Sequence, residues 1–262
     1  MTEPISRRNA LGVFSTIGLG ALLAACTGES GPSTSTTTTG TGTTVPTLEG
    51  GTATVSPTTQ GSLTAASFAG TGTCTLSREL TEGPYYFDVD AVRGDIREDR
   101  AGATLRVGIL VQDADTCDPI RNAVVDIWHC DAEGNYSGFE SASQGGPGGS
   151  GRTDDETYLR GAQVTNADGI VEFTTIYPGW YRGRTVHIHC KVHLSRTELL
   201  TTQLFFDETV TETVYAAAPY ASGAGRDTTN ASDNIFDDSL VLTVTPDSDG
   251  HLGLVTFGVE AA

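Results

Sequence analysis

Residues Thr185–Leu194 (TVHIHCKVHL) alternate without a break, and that alternation limits the fold more than any other stretch. Val186, Ile188, Cys190, Val192 and Leu194 fall on one face; His187, His189, Lys191 and His193 fall on the other. A period of two suits a pleated strand and spoils the apolar stripe of a helix. Thr104–Asp113 repeats the pattern, with Leu105, Val107, Ile109 and Val111 on one side. Further strands are expected at Ala123–Cys130, Ile170–Ile176, Gln203–Phe206, Leu240–Thr245 and Leu252–Val259, separated by turn signals such as Asp118-Pro119 and Asn166-Ala-Asp-Gly169. Short strands, turn residues between them and no long helical period point to an all-β, antiparallel sandwich or barrel. Gly-rich inserts such as 141–151 read as loops, where a β scaffold commonly carries its function.

Not all of the 262 residues fit that pattern. The first 26 read as an export signal: Arg7-Arg8, an uncharged apolar run from Ala10 to Ala25, then Leu-Ala-Ala-Cys26. The run is short for a membrane span, which needs about 20 residues. Ser6-Arg7-Arg8 resembles a twin-arginine signal, and the end of the run resembles a lipobox, with Cys26 as the lipidated residue. Residues 27–72, rich in Thr, Gly and Ser, have too little apolar surface to offset their chain entropy and read as a flexible spacer. Residues 73–262 remain for one domain. The expected product is an extracytoplasmic protein that meets the membrane only through a lipid anchor. With 33 acidic against 15 basic residues and a net charge of −18, nucleic acid is not an expected partner. Of the other four cysteines, Cys117 and Cys130 bound a strand too long for a disulfide. Cys74–Cys117 is the favoured pair, with Cys130 and Cys190 left open.

Two histidines two apart on one strand face have Cα atoms about 7 Å apart, close enough to share a metal. His193 is roughly 13 Å along the strand from His189, too far for the same ion. Two segments offer phenols nearby: Asp126-Ile-Trp-His-Cys-Asp-Ala-Glu-Gly-Asn-Tyr136, where a strand runs into a Gly-containing loop, and Pro178-Gly179-Trp-Tyr181, where a turn precedes the histidine strand. Either tyrosine taken singly reads as a packed aromatic with a satisfied hydroxyl.

Gly-x-Tyr-Ser-Gly after Asp-Ile-Trp-His, then Pro-Gly-x-Tyr, Arg-x-x-His-Ile-His and Thr-Thr-Gln-x-x-Phe, in that order, resemble the intradiol ring-cleavage dioxygenases. The resemblance runs from about Leu76 to Asp207 and implies a β-sandwich. It implies a non-haem Fe(III) held by Tyr136, Tyr181, His187 and His189. Anionic phenolates suit so hard a cation, whereas a ferrous oxygenase uses two histidines and a carboxylate. It also implies that a small catechol displaces Tyr181, that Arg184 stabilises developing negative charge with Gln203 paired to it, and that O2 opens the ring to a muconate-type diacid with no external reductant. Leu80-Thr-Glu-Gly-Pro-Tyr85-Tyr86 resembles the segment that lines the family's pocket, with Tyr85 as the wall and Tyr86 behind. His129 matches no family ligand and reads as a supporting or structural residue. The helical N-terminal domain that pairs catechol 1,2-dioxygenases has no counterpart here, so a monomer is expected. Only five residues separate Tyr181 from His187, which shortens a loop seen in protocatechuate enzymes. The rival readings are a non-catalytic sandwich-type binding module and a zinc or copper site on His187 and His189. Zinc's preference for His, Cys and carboxylate disfavours the latter.

Overall fold

The computed structural model describes residues 43–46, 52–55, 63–72, 74–89, 91–143, 151–195, 197–220 and 225–260. The expected signal and its Cys26 lie outside the described residues, as does most of the expected spacer. Two four-stranded sheets face each other. A short ribbon of β1 (Thr43–Pro46) and β2 (Thr52–Val55) forms a separate pair.

The first sheet contains β3 (Thr104–Asp113), whose Leu105, Val107, Ile109 and Val111 are fully buried. The second begins with β4 (Ala123–Trp128), which pairs with β5 (Arg160–Val164). A single turn, α1 (Glu140–Ser143), lies between them in sequence. The chain then crosses to β6 (Ile170–Ile176) beside β3, and returns as β7 (His187–Leu194) and β8 (Thr197–Phe205). A helix, α2 (Glu208–Tyr215), follows, and β9 (Thr243–Asp247) and β10 (Gly250–Val259) complete the first sheet. The strand orders are β6-β3-β10-β9 and β5-β4-β7-β8. All pairs are antiparallel except β3 with β10, which run parallel. Ile188, Cys190 and Val192 of β7 meet Val107, Ile109, Phe173 and Phe257 in one core. Each such large apolar side chain stabilises the fold by about 1.5–3 kcal/mol on burial.

Several boundaries differ from the sequence expectation for physical reasons. β5 has no apolar alternation, because Arg160 and Gln163 are buried polar residues and Gly161 packs against Ile96. Pro246, just past the strand expected at Leu240–Thr245, lies within β9, opposite His251. β9 is an edge strand, where a missing N–H need cost no ladder bond. α2 is only two turns long, and the Asp207 carboxylate caps it by accepting from the Thr209 and Val210 amides. Packed structure also starts earlier than expected. Leu63 and Phe68, inside the stretch read as spacer, pack on Leu110, Ile170 and Leu254. Cys74 and Cys117 form a disulfide with Cα atoms 5.3 Å apart, and Cys130 and Cys190 are buried free thiols.

His129 joins the two sheets near the end of β4. Its Nδ1–H donates to the Cys130 carbonyl (2.7 Å), so Nε2 accepts from the Thr175 hydroxyl of β6 (2.7 Å). Both ring nitrogens are used, and the role is structural. Burial lowers its pKa from 6.5 to about 4. The neutral ring therefore contributes stability that is complete above pH 6.5 and is lost as pH falls through about 4. His129→Gln is expected to remove roughly 3 kcal/mol of the stability difference between pH 7 and pH 4. Urea unfolding at several pH values checks this, and an unchanged pH slope would contradict it.

Candidate metal centre

The β4-β7-β8 register sets Trp128 opposite His189 and His189 opposite Gln203, while His187 faces Phe205. The outer face of β7, which carries both histidines, is covered rather than open. Leu80 N–H bonds to the Thr201 carbonyl, and Tyr86 packs on Trp128 at 4.7 Å between ring centres. His187 and His189 are each 2% exposed. Their Nε2 atoms are 3.2 Å apart. The Nδ1–H of His187 donates to the Thr185 carbonyl (2.6 Å), which leaves Nε2 as a bare lone pair facing the site. The His189 ring stacks on Trp128, 4.9 Å away and 8° from parallel. Burial brings the His187 pKa down to about 3 and that of His189 well below its ordinary value, so both rings are neutral.

The tyrosines arrive on two loops that touch through backbone. After β4, the Asp131 carboxylate accepts from the Glu133 and Asn135 amides (both 2.9 Å), and Gly134 turns the chain with φ +89°. The second loop, Tyr177–Tyr181, passes so close that the Gly179 amide donates to the Asp131 carbonyl (3.0 Å). A Cβ on Gly134 would lie 2.3 Å from the Trp180 carbonyl oxygen, and one on Gly179 would lie 2.4 Å from the Asp131 carbonyl oxygen. The two hydroxyls then converge. Tyr136 Oη and Tyr181 Oη are each 3.3 Å from His187 Nε2. Tyr136 is fully buried and Tyr181 half-buried. Burial raises both phenol pKa values, Tyr181 to about 12 and Tyr136 well above its ordinary value, while Arg184 pulls both down.

This arrangement is poorly satisfied by protons alone. His187 Nε2 offers one lone pair, yet it has three polar neighbours within 3.3 Å: two phenols and an imidazole. His189 Nδ1 is buried without a hydrogen-bond partner among the described residues. A cation among these four donors would engage the Nε2 lone pairs of both histidines and bring the phenols down to phenolates. Among the described residues no group of three or more His, Cys, Asp or Glu could hold a metal, so the convergence depends on the two phenols. Two nitrogens and two phenolate oxygens suit a hard trivalent ion such as Fe(III).

At the edge of this cluster, Arg184 places Nη1 3.5 Å from His187 Nε2 and donates through Nη2 to Gln203 Oε1 (2.5 Å). Gln203 Nε2 in turn donates to the Thr81 carbonyl (2.8 Å). Tyr85 sits against the tyrosines, its ring centre 4.9 Å from that of Tyr136 and 6.4 Å from that of Tyr181, with Phe139 at 5.3 Å. Phe139, Thr185 and Asp233 also shape the site and carry no sequence signal that sets them apart from core or surface residues.

A family model described as Dioxygenase matches residues 81–230, more than half of the chain. The chain belongs to the intradiol ring-cleavage dioxygenase family. A solved intradiol ring-cleavage dioxygenase from Tetranychus urticae is 35% identical, with a TM-score of 0.67, over 71% of this chain and 95% of that one. The dioxygenase domain of a dioxygenase–carbohydrate-binding fusion from Streptomyces sp. SirexAA-E is 30% identical, with a TM-score of 0.53, over 71% of this chain and 99% of that one. A curated chlorocatechol 1,2-dioxygenase of Rhodococcus opacus is 30% identical across 43% of this chain and 47% of its own length. The chain thus spans about half the length of that curated relative.

In this intradiol family member the two loop glycines are a sensitive point of the site. Gly134→Ala forces φ > 0 on a residue with a Cβ and drives it into the Trp180 carbonyl. It is expected to cost more than about 1 kcal/mol and to weaken metal binding at least about tenfold. Equilibrium unfolding and Fe(III) titration check this; native-like metal affinity would contradict it.

Proposed function

We propose that the protein is a non-haem Fe(III) enzyme that cleaves a small catechol between its two hydroxylated carbons with O2, giving a muconate-type dicarboxylate in aromatic catabolism. The observation that carries this reading is the convergence of two phenols and two neutral imidazoles within 3.3 Å of one point, His187 Nε2. Family membership supplies the reaction class. Tyr136, Tyr181, His187 and His189 would hold the ion. When bound, it supplies Lewis acidity that keeps the catechol deprotonated and an electronic path between ring and dioxygen.

The side chains divide the remaining work. Tyr136, fully buried and packed between Tyr85 and the histidines, is the phenol that would stay in place. Tyr181 is half-buried, so it is the phenolate free to leave and to take one catechol proton at its Oη. Arg184 brings a fixed positive charge beside the histidines, where negative charge builds on the opening ring. Gln203, tied to Thr81, fixes the far end of that guanidinium. The rings of Tyr85 and Phe139 give a flat apolar wall suited to an aromatic substrate. Both atoms of O2 end in the product, a catechol plus O2 having the composition of the diacid, so no reductant is consumed.

We place this activity outside the cytoplasm, on a monomer exported by the Arg7-Arg8 signal and anchored through a lipidated Cys26. The leader residues support this placement. An oxygen electrode tests the reaction. Iron-loaded protein with catechol is expected to consume one O2 per catechol without added reductant, and Arg184→Ala is expected to lower kcat by about 10²-fold. No oxygen uptake with catechol, protocatechuate or hydroxyquinol would sink the reading in favour of a non-catalytic binding module.

A further inference from the structure

Asp233 lies just beyond the segment matched by the family model (81–230). Its side chain has no exposed surface. One oxygen, Oδ2, accepts both from Arg184 Nε–H (2.9 Å) and from the Thr185 amide (2.8 Å), while Oδ1 accepts from the Ile235 amide (2.8 Å). Burial alone would push this carboxyl up. The Thr185 and Ile235 amides and the Arg184 guanidinium outweigh burial and hold it below the usual carboxylate range.

We propose that Asp233 is a positioning residue for ring cleavage: a single buried carboxylate sets the guanidinium of Arg184 and, through Thr185, the ring of His187. This rests on the catalytic reading above. With Nε held by Asp233 and Nη2 held by Gln203, the planar guanidinium is anchored at two points, and Nη1 is held 3.5 Å from His187 Nε2. The same Oδ2 holds the Thr185 amide, and the Thr185 carbonyl receives the His187 Nδ1–H. Asn230 completes the clamp: its Oδ1 accepts from the Thr185 hydroxyl (2.7 Å) and its Nδ2 donates to the Phe206 carbonyl (2.8 Å). The contrast lies two residues away. Arg182 is almost fully exposed and reaches Asp227 only at 3.6 Å. A surface ion pair of that kind positions nothing.

Asp233→Asn in the iron-loaded protein, alone and combined with Arg184→Ala, tests the proposal. Alone it is expected to lower kcat for catechol at least about tenfold, with KM changed by less than about threefold. In the Arg184→Ala background the same change is expected to lower kcat by no more than about threefold, because only the Thr185–His187 arm is left for it to position. Equal losses in both backgrounds would overturn the proposal, since Asp233 would then act through the fold at large. A crystal structure of the Asp233→Asn protein is the second readout. The Arg184–Gln203 contact is expected to open while β7 and β8 keep their register; an unmoved Arg184 would overturn the proposal. Asp233→Glu, which keeps the charge but lengthens the arm, serves with the same readouts if the Asn variant does not fold. If the unsubstituted protein consumes no oxygen with catechol, ring cleavage is what fails, and the structure of the variant still decides the positioning of Arg184.

Discussion

The site depends on two loops meeting backbone to backbone. Gly134 and Gly179 each occupy a place where a Cβ would fall within 2.4 Å of the other loop's carbonyl oxygen. Removing both Cβ atoms lets the Gly179 amide reach the Asp131 carbonyl, and that contact sets the distance between the Tyr136 and Tyr181 chains. Strand pairing alone would place the histidines but leave the phenols unlocated. Pairing of β7 with β4 and β8 supplies a rigid floor, and the glycine contact brings the oxygens down onto it.

The second constraint is electrostatic. The cluster is buried, and burial drives every one of its four donors towards its neutral form: imidazole pKa values down, phenol pKa values up. Neutral donors crowding a single lone pair are an arrangement that a cation relieves. The neighbouring charge is arranged with the same economy. Arg184 stands beside the cluster and is neutralised at its far side by Asp233, so the guanidinium contributes direction without leaving an unpaired buried charge. The unequal burial of Tyr136 and Tyr181 gives the pair different freedoms, which is what exchange of one ligand for a substrate requires.

Much of this was legible in the sequence, unevenly. The alternation of Thr185–Leu194 placed His187 and His189 on one face and Cys190 in the core, because period-two patterning is imposed by burial on each side of a sheet. It did not reveal that the histidine face is also covered, since the segment from Leu80 to Tyr86 that covers it has no periodicity of its own. β5 escapes notice because polar Arg160 and Gln163 are buried in it, on opposite faces, so its burial leaves no apolar alternation. The two tyrosines stood out only through the order of motifs around them; singly, each looks like any packed phenol. Asp233 was invisible, because its role comes from a long-range contact with Arg184, 49 residues earlier.

The central claim is that four side chains share one ferric ion. Iron analysis with the visible spectrum of the purified protein tests it most directly. The account predicts one iron per chain and a tyrosinate-to-Fe(III) charge-transfer band that shifts on adding catechol and loses much of its intensity in Tyr136→Phe. A colourless, iron-free protein from iron-replete cells, or a band indifferent to Tyr136, would contradict it.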